Sequence, residues 1–113
     1  MSDSTVTKVD AAEAPRGTMG QKYLASGKSI SMRLWVSEEA GETKSPVRRD
    51  YETVGYVISG KAEVQIEGRP TILGPGDSWV VPQGAKHTYR IIELFTAIEA
   101  THPPAQEKDR DKA

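Results

Sequence analysis

Few side chains in this chain can carry chemistry. It holds two histidines and no cysteine in 113 residues, which leaves no thiol nucleophile, no thiolate metal site and no disulfide. His102 stands beside Pro103 and reads as a surface residue at the start of a tail. His87 follows the run Gly76-Asp77-Ser78-Trp79-Val80-Val81-Pro82-Gln83-Gly84-Ala85-Lys86. There Gly76 and Asp77 turn the chain into a strand, and Pro82 and Gly84 turn it out again. The imidazole is thereby delivered to the inner face of the next strand, where it serves as a base or ligand, or simply packs. Lys44, Arg48, Arg49 and Asp50 form the other cluster. As residue types alone they describe a solvated loop whose ion pairs are worth about 0–1 kcal/mol each. Tyr51 and Tyr89 share strand parity with Arg49 and His87, and each offers an apolar wall with one hydrogen bond at its tip, or ordinary barrel filling.

Short strands must position these groups. Gly41, Gly55, Gly60, Gly68, Gly74, Gly76 and Gly84 alternate with Pro46, Pro70, Pro75 and Pro82, so no long helix fits between the breakers. Ile30, Met32, Leu34 and Val36 alternate with Ser31, Arg33, Trp35 and Ser37, and Ala62, Val64 and Ile66 alternate with Glu63, Gln65 and Glu67. A two-residue period of this kind marks half-buried strands. Further runs at 54–58, 78–81, 87–92 and 94–100 bring the expectation to about seven strands, an all-β barrel with tight reversals at Ser59-Gly60 and Glu67-Gly68. Trp35 and Trp79 read as core or subunit-interface residues.

The chain suits one domain. Residues 1–17 and 103–113 are expected as flexible tails, the latter packing six charges into its last seven residues, and residues 18–102 as the barrel. A core this small has little stability to spare, so a homodimer is expected. Fifteen Lys plus Arg against sixteen Asp plus Glu give a net charge of −1. No whole-protein field draws in nucleic acid or an anionic membrane. With neither a signal-peptide pattern nor a membrane span in sight, the expected location is cytoplasmic.

The spacing from Gly76 to His87, which is glycine, five residues, proline, one residue, glycine, two residues, histidine, resembles the second signature of the cupin superfamily at all four positions. The first signature is laid from Gly41 to Gly60, and fifteen residues separate Gly60 from Gly76, similar to the compact single-domain members. The resemblance covers about half the chain and implies a double-stranded β-helix, the jelly-roll-like conserved barrel. In members that bind a metal, three imidazoles and one carboxylate hold it. On this chain the corresponding slots fall on Val47, Arg49, Thr53 and His87, and Ile91 stands where an asparagine is usual.

The resemblance therefore implies a degenerate metal site. Valine has no lone pair to give, threonine is a poor ligand and guanidinium offers donors only. A charge on Arg49 at 4 Å from a like charge costs about 4 kcal/mol at an effective dielectric of about 20, and a divalent ion doubles that. The expected site is a metal-free pocket for a small polar or anionic molecule, formed by Arg49, Tyr51, Thr53, His87 and Tyr89, with His87 as the base of any isomerase-like reaction. Lys44 and Arg48 are candidate helpers. The alternative is a metal-dependent oxygenase or lyase holding one divalent transition metal at His87, with Glu52 or Glu99 as the missing carboxylate. A third reading is an accessory barrel with no ligand.

Overall fold

The computed structural model describes residues 7–108, 110 and 111, and the expectations for residues 1–6, 109, 112 and 113 lie outside these. Its strands are β1 (Lys22–Ser26), β2 (Ser31–Glu38), β3 (Glu52–Ile66), β4 (Arg69–Leu73), β5 (Ser78–Val81) and β6 (His87–His102). All pairings are antiparallel, in the order β1-β2-β6-β3-β4, with β5 also on β3.

Two long strands replace the separate short ones read from the sequence. Ser59-Gly60 is a bulge within β3 rather than a reversal: the register against β6 shifts between Val57, Ser59, Lys61 and Ala62. Gly60 sits at φ 86°, where a Cβ would come within 1.9 Å of the Leu94 carbonyl oxygen. The extra residue bends β3 and β6 together, and that bend rolls the sheet into a barrel. Glu67-Gly68, both at positive φ, is the true hairpin turn into β4.

β2 turns its polar parity inward. Alternation locates the strand, yet Ser31 and Arg33 are the buried residues, whereas Ile30 and Met32 lie on the exposed parity. The apolar cluster sits instead between β3, β4, β5 and both halves of β6, around Val57, Val64, Leu73, Val81, Ile91 and Phe95. Trp79 lies in that cluster and Trp35 is half-buried. Among the described residues no helix is long and apolar enough to cross a membrane.

Candidate functional site

The site is built on one inward-facing rung of the sheet. Tyr23 of β1 pairs with Arg33 of β2, Arg33 with Glu99 of β6, Glu99 with Gly55 of β3, and Gly55 with Trp79 of β5. Residues directly opposite in a ladder have Cβ atoms about 5 Å apart, so the register itself brings the guanidinium to the carboxylate. Gly55 leaves its place on the rung empty. The Trp79 indole fills part of it, close enough that a Cβ at 55 would stand 2.4 Å from the ring.

Arg33 is 6% exposed and Glu99 3%. Arg33 Nε donates to Glu99 Oε1 at 2.6 Å, and Arg33 Nη1 donates to Asp111 Oδ1 at 2.6 Å and to the Tyr51 hydroxyl at 3.0 Å. Trp35 Nε1 donates to the same Glu99 oxygen at 2.6 Å. Asp111 comes from the C-terminal stretch, which turns back over the barrel end after His102. Its carboxylate also accepts from the Tyr51 hydroxyl, from the Tyr23 hydroxyl at 2.8 Å and from Gln21 Nε2 at 3.2 Å. Guanidinium and carboxylates are thus removed from water together, which is tolerable because each is paired and hydrogen-bonded.

The ionisations follow. Burial opposes the charge on Arg33, but Glu99 and Asp111 override it and hold its pKa above the ordinary value. Burial also pushes at the Asp111 carboxyl, yet Arg33 and the two phenols hold it below the usual carboxylate range. Burial raises Tyr51 and Tyr89 and pushes Tyr23 up to about 12, so all three phenols remain donors at neutral pH.

The opposite wall comes from the first half of β6 and the segment preceding β3. That segment is tied to β6 by Gly41 N–H to Ile91 O, Lys44 N–H to Tyr89 O, and a reciprocal 2.9 Å pair between Val47 and His87. His87 is buried and its Nδ1 lies 3.0 Å from the Ala85 carbonyl. A carbonyl only accepts, so in the neutral ring Nδ1 carries the proton and Nε2 keeps its lone pair. No described residue hydrogen-bonds Nε2. The Tyr89 ring meets His87 edge-on at 5.9 Å, and its hydroxyl accepts from Trp79 Nε1 at 3.1 Å.

Between the walls lies a cavity of about 200 Å³. Of the residues selected from sequence, Arg49, Tyr51, His87 and Tyr89 line it, as does Lys44. Thr53 does not: it is buried one rung away, opposite Thr101 and Val81. Arg48 faces solvent and pairs with Glu67 at 3.3 Å. Glu52 is exposed. Arg49 is half-buried, with Met19 Sδ 3.7 Å from its Nη2 and no acidic partner among the described ion pairs.

Sequence reasoning passed over Arg33 and Asp111, and weighed Glu99 only as a metal ligand. One signal was present, a charged residue on the polar parity of a strand whose other parity is wholly apolar. The metal reading can be tested on the donor set. Val47, Arg49 and Thr53 occupy three of the four ligand slots, Glu99 Oε1 already accepts from Arg33 and Trp35, and no three His, Asp or Glu side chains come together among the described residues. These residues do not fit a tightly held divalent ion.

Comparison with known proteins agrees with the geometry. The family model described as the cupin domain matches residues 34–94, more than half of the chain. An RmlC-like cupin from Shewanella frigidimarina superposes with a TM-score of 0.74 at 17% identity, covering 93% of this chain and 96% of that one. KdgF from Halomonas sp. gives 0.66 at 27% identity, over 74% of this chain and 78% of that one. A salicylate 1,2-dioxygenase from Pseudaminobacter salicylatoxidans gives 0.63 at 23%, over 70% of this chain but only 22% of that one. No curated protein matches the chain. Signature spacing, barrel and family match agree, and the chain belongs to the cupin domain family.

Proposed function

We propose that this cupin binds a small polar molecule in its barrel without a metal, and that His87 is the base for any proton transfer on it. The observation that carries this is the cavity itself: apolar walls end on a buried Arg33–Glu99 pair, and the facing wall holds an imidazole nitrogen that no described residue hydrogen-bonds. Such a cleft, mostly apolar with a few convergent polar groups and strongly perturbed ionisations, is the usual form of a ligand site. At the mouth, Arg49 and Lys44 suit an anionic end of the molecule. Inside, Nε2 of His87 can take a proton while the Tyr89 hydroxyl, whose own proton is free to donate, steadies the oxygen that gains charge, the pairing isomerase-like chemistry needs.

The test is a thermal-shift screen of the whole chain against small carboxylates, sugars and amides, with metal analysis of protein purified without added metal. Binding is expected in metal-free protein. His87→Gln should keep the binding and lose any turnover found, and Arg49→Ala should weaken anionic ligands chiefly. Near-stoichiometric transition metal retained by the wild type and lost in His87→Gln would overturn the reading in favour of the metal-dependent alternative.

We propose in addition that the chain is a homodimer through its outer sheet face. Met32, Ala100, Val54 and Val80 form one outward rung, and Leu34, Ile98 and Tyr56 the next. Val54, Tyr56 and Val80 are about half exposed. Four strands about 4.8 Å apart and six residues at about 3.4 Å each span roughly 400 Å² in projection. That matches the largest apolar patches that monomers leave bare, about 300–600 Å². Standing side chains and a polar rim bring two apposed copies toward the roughly 1,200 Å² of a stable interface, and a flat sheet face is self-complementary under a two-fold axis.

A further inference from the structure

Hydrogen-bond accounting at the cavity floor narrows the ligand. Arg33 spends Nε on Glu99, and Nη1 on Asp111 and Tyr51. Its Nη2 has no acceptor among the described residues. Among the described residues Glu99 receives both of its bonds, from Arg33 and Trp35, on Oε1, and none on Oε2. The one buried side-chain polar atom without a hydrogen bond among the described residues is Arg110 Nε, so neither Nη2 nor Oε2 is at once sealed from solvent and unpaired. Both residues line the cavity, and both are more than nine-tenths buried. The floor therefore offers one donor and one acceptor from directly opposite positions on one rung of the sheet.

Its net charge matters equally. Among the described residues one guanidinium faces two carboxylates, Glu99 and Asp111, so these three groups carry a surplus of negative charge despite the arginine at their centre. A ligand carboxylate placed there would meet Glu99 Oε2 with no proton to offer it, and would add a third anion to a cation already shared by two. An amidinium would satisfy Glu99 and leave donor facing donor at Arg33. A group with an acceptor and a donor side by side, and no charge, satisfies both atoms.

Resting on the pocket reading above, we infer that the cavity floor is a recognition site for an uncharged amide, either a primary carboxamide or the N–H and C=O edge of a lactam. Its carbonyl accepts from Arg33 Nη2 and its N–H donates to Glu99 Oε2. The body attached to it is small and apolar. A cavity of 150 Å³ suffices for benzene, so about 200 Å³ takes one ring with its substituent, against Ile91, Phe95 and Trp79. Anion preference then belongs to the mouth at Arg49, and neutral amide preference to the floor.

Benzamide, benzoate and benzamidine are near-isosteres that differ at this edge in charge and in donor and acceptor pattern. The two tryptophans give one indole N–H reporter on each side, Trp35 at the floor through its bond to Glu99 and Trp79 on the opposite wall. Titrating the intact wild-type chain with each compound and following both indole resonances needs no destabilising variant. Benzamide is expected to move the Trp35 signal and to bind about tenfold or more tighter than either charged compound, the discrimination a site shows when a buried polar group would otherwise be left unpaired. Tighter binding by benzoate or benzamidine, or a benzamide response confined to Trp79, would overturn the amide assignment while leaving the pocket standing. No response of either indole to any of the three would remove both.

Discussion

The two halves of the barrel interior keep water out by opposite means. Around Val57, Val64, Leu73 and Phe95 the wall is closed by interdigitated apolar side chains. At the other end, Arg33, Glu99, Asp111, Tyr51 and Tyr23 close it with paired charge and phenol hydroxyls. Area removed from water stabilises the first half. The second gains little net stability, because the desolvation of each ion offsets most of its attraction to the others. A fold needing only stability would fill both ends with Leu and Val. The charged end therefore points to function, and the two ends should answer differently to the same kind of insult.

The largest difference is expected at Arg33. Arg33→Met removes the shared cation and leaves Glu99 and Asp111 buried without it, costing about 3–5 kcal/mol in a chemical denaturation experiment. Adding Glu99→Gln and Asp111→Asn to that variant should recover a large part of the loss, since no unpaired charge then remains. A triple variant no more stable than Arg33→Met would show that the cost is one of shape rather than charge. Next comes Leu73→Ala in the apolar half, expected to cost about 2–4 kcal/mol through lost transfer energy and the cavity left behind. That loss should be the same at pH 7 and pH 4, because no titrating group takes part.

Asp111→Asn separates the ends by pH. Its carboxyl is held below the ordinary range in the folded protein, so its contribution is present above the unfolded pKa of about 3.9 and fades as pH falls through the lower folded value. At pH 7 the variant should be less stable than the parent by about 1–3 kcal/mol, the cost of weakening a buried charged hydrogen-bond hub. From about pH 4 downward the gap between the two denaturation curves should narrow as pH falls. A gap of unchanged size from pH 7 to pH 3 would mean that the carboxylate does not engage Arg33 in solution.

The same contrast explains what could be read from the chain. Two-residue alternation finds β2, but period alone never says which parity faces in, and the habit of turning apolar residues inward fails in a barrel whose lumen is a polar site. Ser59-Gly60 has the composition of a hairpin turn, and only the partner strand shows it to be a bulge. His87, Arg49, Tyr51 and Tyr89 were legible because their positions follow from glycine and proline spacing within about forty residues. Arg33 and Glu99 are sixty-six residues apart and meet through a register that no local pattern encodes. Asp111 lies in a run of alternating charges that reads as solvated chain, and becomes a buried hub only because a guanidinium and two phenols converge on it.

The smallest effect on the fold is expected on the outside of the same wall, where Val54 stands between Ala100 and Val80 with nearly half of its surface in water. In an isolated barrel, Val54→Ser removes little buried area and should change stability by no more than about 0.5 kcal/mol. If two copies are apposed across this face, the hydroxyl would be desolvated at the centre of the interface, and weakening is expected in the association rather than in the barrel. Mass measured by light scattering across a dilution series separates the cases. The parent should hold a dimer mass to lower concentration than Val54→Ser, with the stability of the diluted barrel unchanged. A parent that is monomeric throughout would leave the apolar rungs solvated and remove the dimer, while the contrast between the two ends of the lumen would be untouched, since none of its groups reaches the outer face.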